Sequence, residues 1–272
     1  YGIEVPILSL KAVLSWYVLL DNKFATVVEK LRPEIFIEGG DPSGLTVECR
    51  INLLKNFCLM YKEKSSCYIT FDKSALLRFG SPEMEETVLV LLSEYYDNRP
   101  ILQILLPMAI THQMKSCHEI ALKISLDDSC ESVARKLAIK LIKVILPASQ
   151  ISQNAKDVKG KYRPENNEFA RIIIEEYADY LSVDEVLNIL AQVSNPSSYG
   201  FSSIELTTEK YINSLSSTSL LTALRGLYLL IDTEPYKNGY RSKISEKYKW
   251  LVKVFEIGLV RYLESRDDTL IT

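Results

Sequence analysis

Residues 128–146 read DSCESVARKLAIKLIKVIL, and their spacing decides the fold class. Val133, Leu137, Leu141 and Val144 advance by four, four and three residues, with Ile145 beside them. Steps of three and four return to one side of an α-helix, because each residue turns the chain by about 100°. Arg135, Lys136 and Lys143 fall on a polar face. Ahead of the run, Asp128 with Glu131 three residues later suits a capping box, in which a side-chain oxygen accepts from a free helical amide and the glutamate reaches back. Ser182-Val183-Asp184-Glu185 fits the same pattern. At Ser81-Pro82 a capping hydroxyl precedes a proline at the first helical position, where the missing N–H costs nothing.

Outward from this segment the helical period persists. Over 241–263, Ile244, Tyr248, Leu251, Phe255, Leu259 and Tyr262 share one face, the expected core side of a terminal helix. A second stripe, Trp250, Val254 and Ile257, lies about 100° away. Helices are predicted near 8–20, 22–32, 44–62, 72–79, 82–96, 100–113, 116–126, 129–146, 166–181, 183–193, 203–214, 217–232 and 241–265. Tyr68-Ile69-Thr70-Phe71 alone has strand-like composition. The polar run 149–167, with Gln150, Ser152, Gln153, Asn154, Gly160 and Pro164, reads as a connection. The expected organisation is therefore helical repeats over 1–148, a polar connection over 149–167, and further helices over 168–272. Only 10 glycines in 272 residues disfavours small β-sandwiches and glycine-rich phosphate-binding folds.

Three helices open on similar starts: Asp41-Pro42, Ser81-Pro82 and Asp127-Asp128, at intervals of 40 and 46 residues. The first leads into Val47, Ile51, Leu54, Phe57 and Cys58, the second into Val88, Leu91, Leu92 and Tyr95. Over residues 8–147 this resembles the HEAT and armadillo class, whose two- or three-helix units run to about 40–47 residues. In that class an Asp near the turn and a Val-Arg-x-x-Ala pattern open the second helix of a unit. Asp128, Val133, Arg135 and Ala138 come close, with Arg135 one place late, and Asp41, Val47 and Arg50 echo it more loosely. The resemblance implies an all-α, right-handed helical-repeat solenoid; the alternative is an irregular helical bundle.

The remaining composition narrows function by exclusion. Lys plus Arg total 32 against 35 Asp plus Glu, a net charge of −3, without the basic excess of a dedicated nucleic-acid binder. Cys49, Cys58, Cys67, Cys117 and Cys130 are odd in number and share no ligand spacing, which reads as free thiols in an intracellular protein of cytoplasm or nucleus. No apolar run is long enough to span a membrane, and membrane partners are not expected. The chain opens on Tyr1 rather than Met and reads as a piece of a longer protein. Only His112 and His118 are available as imidazoles, no nucleophile–base pattern occurs, and Gly39-Gly40-Asp41-Pro42-Ser43-Gly44 lacks the lysine of a phosphate loop. Catalytic residues, cofactors and metals are thus not expected. The expected function is a non-catalytic protein–protein interaction scaffold in a larger assembly, binding another protein subunit or a peptide. Its expected contacts are Trp250, Val254 and Ile257 on the terminal helix and Lys136, Lys140 and Lys143 on the 129–146 helix. Nucleic-acid binding through basic faces is the second choice; a further basic group is Lys237, Arg241, Lys243, Lys247, Lys249 and Lys253.

Overall fold

The computed structural model describes residues 13, 15–17, 33–38, 41–63, 71–163, 167–193, 203–232 and 244–270, the side chains of 38, 246 and 266–270 excepted. Among these residues 82% are helical and none lies in a strand, so the chain is all-α. Of the expected helices at 8–20 and 22–32 only 13 and 15–17, which are helical, fall within the described residues, and 68–70 of the strand-like run lie outside them. The chain forms two compact units, Tyr1–Ala148 and Ser149–Thr272.

Unit 1 contains α1 (Glu34–Glu38), α2 (Val47–Tyr61), α3 (Lys73–Phe79), α4 (Glu85–Glu94), α5 (Arg99–Thr111), α6 (His118–Leu126) and α7 (Ser132–Ile145). Helix α5 is apolar around most of its circumference, with Ile101, Leu102, Ile104, Leu105, Leu106, Met108 and Ala109 all buried. A helix of this kind must be covered on several sides, and α2, α3, α4 and α7 all pack on it. Helices two places apart in the chain lie against each other: α1 on α3, α3 on α5, α5 on α7, α2 on α4, and α4 on α6. The sequential neighbours α4 and α5, and α6 and α7, also pair.

In α7 the buried face differs from the one the spacing predicts. Ala134, Arg135, Ala138, Ile139, Leu141 and Ile142 are buried, whereas Val133 and Val144 are exposed. Arg135, expected on the polar face, is 2% exposed. Its Nε donates to the Ser125 carbonyl at 3.2 Å and its Nη1 meets Asp128 Oδ1 at 3.0 Å. These partners lower the cost of burying the charge, and the small Ala134 and Ala138 let α7 approach its neighbours closely. Asp128 is therefore not the cap: Glu131 holds the N-cap position without a side-chain bond and pairs instead with Arg99 at 3.1 Å. The Ser182–Glu185 capping box is present as the sequence predicts.

Unit 2 contains α8 (Ala148–Gly160), α9 (Asn167–Tyr177), α10 (Val183–Gln192), α11 (Ser203–Ser214), α12 (Ser217–Ile231) and α13 (Leu251–Leu270). Composition reads 149–167 as a connection, yet most of it is α8. Ile151, Asn154, Ala155 and Val158 recur at helical spacing and are buried, and the Tyr177 hydroxyl donates to the Asn154 side-chain carbonyl. Four inward residues suffice because the rest of the helix faces water. Lys159 reaches Glu185 at 2.5 Å, and together with the Ser182 cap this holds the Glu185 carboxyl down at about 2. Packing again links helices two places apart, α9 with α11, α11 with α13 and α10 with α12, while α9 and α10, and α12 and α13, pair directly. The terminal helix starts later than 241: Glu246–Tyr248 form a single 3-10 turn, and α13 begins at Leu251.

Truncating Arg135 leaves the Ser125 carbonyl without its donor and Asp128 without its charge partner. Arg135→Ala is expected to lower unfolding stability by about 2–3 kcal/mol. In urea titration the midpoint should fall with the slope unchanged; a midpoint at the wild-type value would show that the buried guanidinium contributes nothing.

Candidate functional site

Most of the described cysteines and several carboxylates have structural roles. Cys58, Cys117 and Cys130 are free and buried, and burial pushes their thiols up to about 12, 11 and 11 respectively, away from the reactive thiolate. Cys49 is free and exposed, and Cys67 lies outside the described residues. His118 is half-buried, its Nδ1 near the Lys115 carbonyl at 3.2 Å. Among the described residues no three His, Cys, Asp or Glu side chains come together in a way that could hold a metal ion. Among adjacent carboxylates, Glu85 of Glu85-Glu86 accepts from the Ser116 amide at 2.6 Å, and Glu175 of Glu175-Glu176 pairs with Arg171. In the glycine-rich turn, the Asp41 side chain accepts from the Ser43 amide at 3.2 Å and caps a single 3-10 turn, Pro42–Gly44.

The two predicted docking sets fare differently. Lys136 and Lys143 are half-buried and Lys140 is exposed on α7, and each already interacts with another group of the chain. Of the second basic group, Lys237, Arg241 and Lys243 lie outside the described residues; Lys247 donates to the Ala191 carbonyl at 2.9 Å, and Lys253 sits 3.1 Å from Glu209. On α13 the expected faces are interchanged in part. Val254 is fully buried, and Trp250 and Ile257 are half-buried. Of the stripe expected in the core, Tyr248 and Leu251 are buried, Phe255 and Tyr262 half-buried, and Ile244 and Leu259 exposed. The Tyr248 hydroxyl donates to the Ala191 carbonyl at 2.8 Å. Helix α13 packs on both α11 and α12, which rotates the buried arc towards Val254.

Three grooves among the described residues are open to a ligand or partner. Between α2 and α4 a cavity of about 370 Å³ is lined by Leu59, Val90, Leu91, Thr87 and Tyr95, with Lys55, Glu86 and Glu94 around it. Leu59 is 57% exposed and Val90 58%. Burial, and then the contact of Glu94 with the hydroxyl, push the Tyr95 phenol up to about 12. Between α9 and α11 a cavity of similar size is mostly polar, and its Arg171 is already held by Glu168 and Glu175. Between α12 and α13 a cavity of about 430 Å³ is lined by Leu221, Leu224, Tyr228, Leu229, Phe255, Leu259 and Tyr262, with Arg225 at its edge. The sequence carried a signal for this last groove: Leu220, Leu221, Leu224, Leu227, Tyr228 and Leu229 are more apolar residues than one buried stripe of α12 needs.

No protein-family model, curated protein or solved structure matches this chain.

His112 gives a pH readout of unit 1. Its Nε2 is buried without a hydrogen-bond partner, and the ring lies so close to Gly80 that a Cβ there would come within 2.6 Å of it. Burial, and then the neighbouring Arg50, hold the imidazole below its ordinary value, against the opposing effects of the Leu76 carbonyl and Glu83. The unfolded chain therefore binds a proton that the folded chain resists, starting near the ordinary value of about 6.5. Stability is expected to fall as pH drops from 7.5 through about 6.5, and His112→Gln should flatten that fall. An identical pH dependence in wild type and variant would contradict the assignment.

Proposed function

We propose that this chain is a non-catalytic protein–protein interaction scaffold built as a helical-repeat array, and that the α2–α4 groove receives an amphipathic helix or peptide of another protein. The repeat reading is supported by the packing of helices two places apart together with sequential pairing, the arrangement that stacking of successive helix pairs generates. An irregular bundle remains the alternative architecture, and the HEAT and armadillo resemblance rests on the sequence pattern around Asp128 and Arg135.

The observation that carries the functional reading is the anatomy of the α2–α4 groove. An apolar floor of Leu59, Val90 and Leu91 is bordered by Lys55 on one helix and Glu86 and Glu94 on the other. Protein interfaces are built in this way, with an apolar centre and a polar rim. A helix presenting two or three apolar side chains at spacing three and four would fill the floor. The rim favours basic partner residues over α4 and an acidic one over α2. Nucleic-acid binding is less favoured, because the lysines of both basic groups that the structure describes interact within the chain. The reading as a non-enzyme rests on the buried thiols and the structural use of the carboxylates described above. No helix among the described residues is long and apolar enough to cross a membrane.

A photo-crosslinking side chain placed at position 90 tests the reading in cells. It should capture a discrete protein, and the capture should be lost when Leu59→Glu is added, while the helical circular-dichroism signal is retained. The same probe at position 140, on the cationic stripe, should capture much less. A nuclease-sensitive product at 140, with none at 90, would replace the scaffold reading by the nucleic-acid one.

A further inference from the structure

The α12–α13 face differs in kind from the α2–α4 groove. Its lining is apolar apart from Arg225. Leu229 is 69% and Tyr228 52% exposed on α12, and the exposed Leu263, one turn on from Leu259, extends the apolar surface along α13. A contiguous surface of this kind marks an interaction site. Interfaces between identical chains are more apolar than those between proteins that meet transiently.

The two helices run antiparallel. The Tyr228 ring lies 6.4 Å from the Phe255 ring, and a Cβ on Gly258 would sit 3.0 Å from Leu224 and 3.6 Å from Leu220. Counting from these contacts, Arg225 on α12 stands at nearly the level of Glu256 on α13, across the groove. Both are exposed, and neither is engaged by an ion pair or hydrogen bond among the described residues. A two-fold axis through the groove lays α12 of one copy over α13 of the other. The same rotation brings Arg225 of each copy opposite Glu256 of the other. The face is therefore complementary to itself in shape class, in polarity and in charge.

We propose that the chain self-associates through this face, two antiparallel α12–α13 pairs forming a four-helix interface centred on Tyr228, Leu229 and Leu259. This inference goes beyond the α2–α4 docking reading and does not rest on it. Light scattering coupled to size-exclusion chromatography reads it directly. Wild type should run at twice 31.0 kDa. Leu259→Glu should run as a monomer with its helical signal unchanged, since that side chain is exposed. Arg225→Glu and Glu256→Arg should each weaken association by about tenfold or more, because each reversal sets like charges face to face at two places. The double variant Arg225→Glu/Glu256→Arg should recover it. A wild-type chain that is monomeric at every accessible concentration overturns the proposal, and another protein or another segment would then be what covers the face. A dimer that persists in Leu259→Glu overturns it equally, since the contact would lie elsewhere.

Discussion

Every helix end leaves up to four backbone carbonyls without an intrahelical donor, and in a fold made of helices alone those ends must meet something. Among the described residues an arginine from another helix meets them in three places. Arg50 on α2 donates to the Phe79 and Gly80 carbonyls at the end of α3, at 2.8 and 3.2 Å. Arg135 on α7 donates to the Ser125 carbonyl near the end of α6. Arg261 on α13 reaches the Ile212 and Leu215 carbonyls at the end of α11, both at 2.6 Å. A guanidinium suits the task because it offers five donors in a fixed plane and its charge opposes the negative end of the helix dipole. Each such tie fixes one helix in register against the end of another, which non-directional apolar packing alone does not do.

From this constraint the packing of each unit follows. In unit 1 the tied end of α3 lies against Met108 of α5, whose apolar circumference binds four other helices together, and the tied end of α6 lies with α7. In unit 2 the Arg261 tie joins α13 to α11, and α13 completes its packing on α12. The outward sides of the helices are then left to carry function. The α2–α4 groove, with its charged rim, suits an exchangeable partner; the α12–α13 face, nearly without charge, suits a lasting one. Burial raises the Cys58, Cys117 and Cys130 thiols, and Glu85, Glu175 and Glu185 are taken up by a backbone amide, an ion pair and a helix cap.

The fold class was legible because helical spacing is a local property: steps of three and four located most of the helices now seen, and the Ser182–Glu185 box was readable from four consecutive residues. Which arc of a helix faces inward was less legible. For α7 and α13 apolarity pointed to one arc, but the buried arc also contains Arg135 in one and Val254 in the other. That choice depends on which neighbours arrive and what they offer, such as the Ser125 carbonyl for Arg135. Helix α8 escaped notice because four buried positions are enough to hold a helix otherwise covered in polar residues. For the same reason Val254, expected at the surface of α13, lies in the core. The exposed Leu259 is as apolar as the buried Val254, and only packing distinguishes them.

Hydrogen exchange read by mass spectrometry, on the isolated chain and on the chain recovered in its cellular assembly, tests the scaffold account most directly. Slow exchange in α5 and α7 should be common to both samples, because those helices are closed by packing alone. The assembly should add protection over 55–59 and 86–95, the two walls of the α2–α4 groove. Added protection confined to 136–143, and lost on raising salt, would contradict the account and place the partner's negative charge on the cationic stripe instead.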